Sequence, residues 1–116
     1  MNRFKELLVW QKAVELTTDI YKLTEQFPKE EKYGLISQIT RSAVSIASNI
    51  AEGAGRNSKA EFHQFLGIAI GSSFELETQL IVAKNLGYVS DTNFEGLIDP
   101  LLAIQNMLFK LQKTLK

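Results

Sequence analysis

Apolar residues recur along this chain at alternating steps of three and four, and each such seam marks one face of a helix. The first seam runs Val9, Ala13, Leu16, Ile20, Leu23 and Phe27. Pro28 closes it, because proline lacks an amide donor and restricts the residue before it. A second seam, Leu35, Ile39, Ala43, Ile46 and Ile50, is widened by Ile36 and Ala47, and Gly53 is suited to cap it in a left-handed conformation. The third helix opens on the capping box Ser58-Lys59-Ala60-Glu61. Its seam runs from Phe62 through Leu66, Ala69, Ser73, Leu76 and Leu80 to Ala83, and Gly87 ends it. The fourth starts near Thr92-Asn93-Phe94-Glu95 and carries Phe94, Leu97, Leu101, Ile104, Leu108, Leu111 and Leu115. Asp99-Pro100 is expected to kink its first turns or delay its start.

No alternating strand pattern competes. Helices of this length joined by connections of a few residues must run antiparallel to their neighbours. The predicted fold is therefore all-α, an antiparallel up-down-up-down four-helix bundle formed by one domain over residues 1–116.

The apolar pattern exceeds what one core needs. Helix 1 has a second stripe of Trp10, Val14, Thr17 and Tyr21, and helix 3 adds Phe65, Ile70, Phe74 and Ile81. A helix that is apolar over much of its circumference is buried on more than one side. Self-association along helices 1 and 3 is the expectation.

Composition narrows the function classes. Thirteen Lys and Arg balance thirteen Asp and Glu, so the chain is not a broadly cationic nucleic-acid clamp, although a zero sum can hide local patches. Without cysteine there is no disulfide, thiolate zinc site or Cys nucleophile. The absence fits a reducing compartment, and a cytoplasmic location is expected. The first ten residues lack a signal-peptide core, and no uninterrupted apolar run approaches a membrane span.

Catalytic constellations are sparse. A di-iron bundle needs Glu-x-x-His pairs, but Ala60 stands three positions before His63, the one histidine. Gly53-Ala54-Gly55-Arg56-Asn57-Ser58 lacks the lysine of a Walker loop and the third glycine of a dinucleotide fingerprint. It reads as a C-cap followed by an N-cap, with Arg56 and Lys59 placed for a backbone phosphate. Helix 2 carries a polar, small-residue face of Gln38, Ser42, Ser45, Asn49 and Glu52, flanked by Arg41. Across the antiparallel pair, Arg41 is expected within about a turn of Glu75, as part of a structural or interface network. A small carboxylate-based enzyme or metal-binding bundle using Glu52, Glu75 and His63 is the alternative. No cofactor is expected.

Three stretches resemble one family. They are Phe4-x-x-Leu7-x-Val9-Trp10-x-x-Ala13, the run from Gln38 through Arg41, Ser45 and Asn49-Ile50-Ala51-Glu52-Gly53, and Glu61-Phe62-x-x-Phe65-Leu66 through Gly71-Ser72-x-x-Glu75-Leu76. They are similar to the proteins encoded in intervening sequences of bacterial 23S ribosomal RNA genes, often labelled ribosomal-protein-like. The accessory variability-determinant proteins of diversity-generating retroelements look like relatives. The resemblance implies a four-helix bundle assembled as a homo-oligomer, a pentamer by likeness. It also implies RNA or a nucleic-acid-associated protein as partner, with Arg41, Arg56 and Lys59 as candidate contacts. It implies no catalytic residue and no membrane partner.

Overall fold

The computed structural model describes residues 3–115. Four helices follow one another: α1 (Leu8–Thr24), α2 (Leu35–Ala54), α3 (Lys59–Asn85) and α4 (Asp91–Lys113). Short 3₁₀ turns at Phe4–Glu6 and Lys29–Glu31 precede α1 and α2. The bundle measures 43 × 24 × 20 Å, its long axis matching the length of α3. Each helix packs antiparallel to the next, and α4 returns beside α1. The sequence seams meet in one core: Ile20, Ile39, Ile50, Leu76, Leu80 and Leu108 are fully buried.

The loops are held by specific contacts. Phe27 leaves the end of α1 and is buried against Tyr88, with ring centroids 5.4 Å apart. One Glu31 oxygen accepts the Leu35 amide at 3.2 Å, capping α2, and the other accepts the Tyr88 hydroxyl at 3.0 Å. A single carboxylate thus ties the α1–α2 connection to the α3–α4 turn. The hydrogen bond to Glu31 raises the Tyr88 pKa above the usual tyrosine range, with desolvation and the charges of Glu31 and Glu30 adding to it. A phenol whose pKa is higher folded than unfolded stabilises the fold below its unfolded pKa. That contribution is lost as pH rises through the folded value. Melting temperatures measured above about pH 10 should therefore fall more steeply for the native protein than for Tyr88→Phe. Parallel curves would show that the latch carries no linked proton.

Three boundaries differ from the sequence expectation. Gly53 is not a left-handed cap, since α2 continues to Ala54 and the cap at Gly55 is right-handed, with φ −84°. Gly87, at φ +81°, is the one left-handed residue among those described. The role of Gly53 is close approach: a Cβ there would stand 2.7 Å from Phe65 Cβ and 2.9 Å from the Phe62 ring. The α4 cap is Ser90, whose hydroxyl accepts the Asn93 amide at 3.1 Å, one turn's start earlier than the Thr92 box. Pro100 lies inside α4 and does not delay it. Both Pro100 and Gly96, whose carbonyl loses its donor, are exposed, so water can take that carbonyl.

Candidate functional site

The polar face of α2 meets α3 in a compact seam. Ser45 Oγ and Ser72 Oγ share a hydrogen bond of 2.8 Å. Asn49 Nδ2 donates to the Ser45 carbonyl at 2.8 Å and to its hydroxyl at 2.9 Å. Ser42 and Ser72 are buried, and these small residues let the two backbones run close. The seam fixes register, setting Ser45 against Ser72 and so Glu75 opposite position 42.

The expected six-residue network contracts accordingly. Ser45 and Asn49 belong to it, joined by Ser72, whereas Gln38, Arg41, Glu52 and Glu75 do not. Arg41 forms no ion pair with Glu75 and reaches only Ser37 Oγ, at 3.5 Å. One helical position rotates a side chain by about 100°. That step, from buried Ser42 to Arg41, turns the guanidinium outward, into a cleft with Tyr21, Thr40 and Val44. Glu75 is exposed and makes no ion pair among the described residues. Glu52 and Glu75 are separated by about ten residues of register, roughly 15 Å along the bundle. His63 is half-buried, its carbonyl accepting Gln112 Nε2 at 3.2 Å. The three groups of the enzymatic alternative do not converge, and no cluster of three metal-ligating side chains occurs among the described residues.

Arg56 is a clamp on the α2–α3 turn. It pairs with Glu52 at 2.7 Å and Glu61 at 4.0 Å, and its guanidinium lies 4.8 Å from the Phe65 ring centroid. Its charge is offset on both sides. The turn is finished by Ser58, which accepts the Glu61 amide at 3.2 Å and donates its hydroxyl to Glu61 Oε1 at 3.1 Å. Lys59, by contrast, is exposed and has no carboxylate partner among the described residues.

The surplus apolar stripes become two grooves. Tyr21 of α1 and Val44 of α2 line a cleft of about 440 Å³ together with Ser37, Thr40, Arg41 and Ser45, and Val14 is exposed on the α1 stripe of Tyr21. Phe74 and Ile81 of α3 and Leu102 and Phe109 of α4 are exposed along the α3/α4 pair, and the Phe74 and Phe109 rings meet tilted, with centroids 6.3 Å apart. All seven apolar side chains are exposed by 37–50%. Val44, Leu102 and Phe109 escape a reading of the sequence because each is an isolated apolar residue on a polar flank. Conversely, Ile70 of the predicted second stripe is core, and Phe65 is covered by Arg56. By length and composition alone α3 is apolar enough to cross a bilayer, although polar residues interrupt its apolar runs. In the bundle its apolar residues divide among the core, the α3/α4 groove and exposed positions at Ile68 and Val82.

The family model for the 23S rRNA-intervening sequence protein matches residues 5–110, nearly the whole chain. The chain belongs to that family. Among solved structures it is similar to a protein of unknown function from the S23 ribosomal protein family of Bacteroides thetaiotaomicron VPI-5482. The two are 27% identical, with a TM-score of 0.83 over 91% of this chain and 99% of the other. No curated protein matches. Within the matched range, the run from Gln38 to Gly53 builds the α2 side of the seam. Its Ser45 and Asn49 set the register, and Gly53 allows the close crossing next to Phe62 and Phe65.

Proposed function

We propose that this intervening-sequence protein is a non-catalytic scaffold that assembles with copies of itself, the α3/α4 groove of one copy docking on the α1/α2 groove of the next. The observation that carries this reading is the pair of exposed patches on opposite sides of the bundle, an apolar one of Phe74, Ile81, Leu102 and Phe109 and a mixed one in which Tyr21 and Val44 border Arg41. In a four-helix square, the α1/α2 and α3/α4 edges lie opposite each other and cannot meet within one chain. Two different faces make a head-to-tail contact, which closes into a ring when the rotation permits. Likeness to the family favours five copies. The resemblance to the retroelement accessory proteins supports a nucleic-acid-associated setting for the ring.

Because no ion pair is needed to form the contact and its anchors are apolar side chains, assembly should persist at high salt, which screens charges but not apolar burial. Sedimentation velocity at micromolar concentration in about 0.5 M salt should report one species several times the monomer mass. A monomer under those conditions overturns the scaffold reading.

A further inference from the structure

The zero net charge conceals a polarity along the bundle. The antiparallel topology gathers the start of α1, the end of α2, the start of α3 and the end of α4 at one pole. There Arg3, Lys12 and Arg56 are matched by Glu6, Glu15, Glu52 and Glu61. Lys5, Lys59, Lys110 and Lys113 are all exposed there, with no carboxylate within salt-bridge reach among the described residues. The contact of Gln112 with His63 holds the last turn of α4, with Lys110 and Lys113, beside the first turn of α3, with Lys59. The opposite pole is acidic. Glu25, Glu30 and Glu31 crowd the α1–α2 connection, and Asp91, Glu95 and Asp99 line the first half of α4. Asp19, Glu75 and Glu77 add to them, against Lys22, Lys29, Lys32, Arg41 and Lys84.

We infer that the pole formed by Lys5, Lys59, Lys110 and Lys113 binds the phosphodiester backbone of a nucleic acid, and that assembly multiplies this pole into a cationic rim. The second clause rests on the scaffold reading: head-to-tail copies related by rotation about an axis along the helices all point the same way, so their lysines collect on one rim. Four unpaired ammonium groups suit a chain of phosphates, which are bound by point charges without base-specific geometry. The assignment moves the contact away from Arg41, which lies in the α1/α2 cleft, and from Arg56, whose charge is offset. It retains Lys59.

The experiment is fluorescence anisotropy with a labelled RNA hairpin, and with DNA of the same sequence, between 50 and 200 mM salt. Four phosphate contacts per binding event predict a fall in affinity of roughly 50- to 150-fold across that range. Lys59→Glu/Lys110→Glu/Lys113→Glu should weaken binding by more than about 20-fold, and the matching glutamine triple should follow in direction while sparing the helix ends. The control triple Lys22→Glu/Lys29→Glu/Lys32→Glu changes net charge identically at the acidic pole and should stay within about threefold. Equal losses in both glutamate triples, or no loss in the first, overturn the polar assignment. So does poly-glutamate competing as well as RNA, which would point to an acidic protein surface. RNA and DNA binding alike supports backbone recognition, whereas a large preference for one base sequence overturns it. Sedimentation of the same samples keeps the two readings distinct: a monomer that still binds through the lysine pole defeats the scaffold and spares the pole.

Discussion

Gly53→Val is expected to destabilise the bundle by about 2–3 kcal/mol, lowering the melting temperature by roughly 10 °C. The position is buried inside α2, where the helix crosses the first turns of α3. Its missing Cβ leaves room that Phe65 Cβ and the Phe62 ring occupy, at 2.7 and 2.9 Å from where that atom would stand. A contact of 2.7 Å between carbons cannot be relieved by rotating the end of a side chain, because Phe65 Cβ is fixed to its backbone. The helices must part, and parting them strains the seam of Ser45, Asn49 and Ser72 two turns away. Gly96→Ala makes the control. It too sits within a helix, but nothing lies within 4 Å of its Cβ. Helix propensity then acts alone and should raise stability by roughly 0.5–1 kcal/mol. Thermal denaturation by circular dichroism separates the two, and an unchanged midpoint for Gly53→Val would show that the crossing is not close in solution.

That contrast shows where sequence reading stops. The seams of α1 to α4 were legible because burial imposes a period on every helix at once, and the residues they marked are the core. Gly53 carries the family's signal, yet its chemistry alone suits a cap as well as a crossing. Only the register set by Ser45 and Ser72 decides between them. The Arg41–Glu75 pair fails for a related reason. Antiparallel bookkeeping places the two at the same height, but it does not say which side of α2 each faces, and one residue of rotation sends Arg41 toward α1. Charge was legible only as a sum. Its separation into poles depends on which helix ends the topology brings together, and a total of zero hides this completely.

Two double variants that each block assembly should form a defined heterodimer when mixed. Val44→Glu with Tyr21→Glu places charge in the α1/α2 groove, and Phe74→Glu with Phe109→Glu places it in the α3/α4 groove. These side chains are 40–50% exposed in the single chain, so the bundle has little reason to unfold. Burying the new carboxylates in the contact costs up to several kcal/mol, most in the apolar α3/α4 groove and less beside Arg41 in the α1/α2 groove, enough to dissociate a contact of micromolar affinity. Each variant alone should therefore sediment as a monomer. In an equimolar mixture, the first still offers an intact α3/α4 groove and the second an intact α1/α2 groove. One good contact forms between them, and both remaining faces are blocked, so growth stops at two. Native mass spectrometry of isotopically labelled partners should show that heterodimer and nothing larger. A two-fold contact, in which a face meets its own copy, gives a different result. There one double variant dissociates, the other assembles normally, and mixing rescues nothing. Head-to-tail geometry is also what points every copy's lysine pole in one direction, so the mixed sample tests the premise of the cationic rim before any nucleic acid is added.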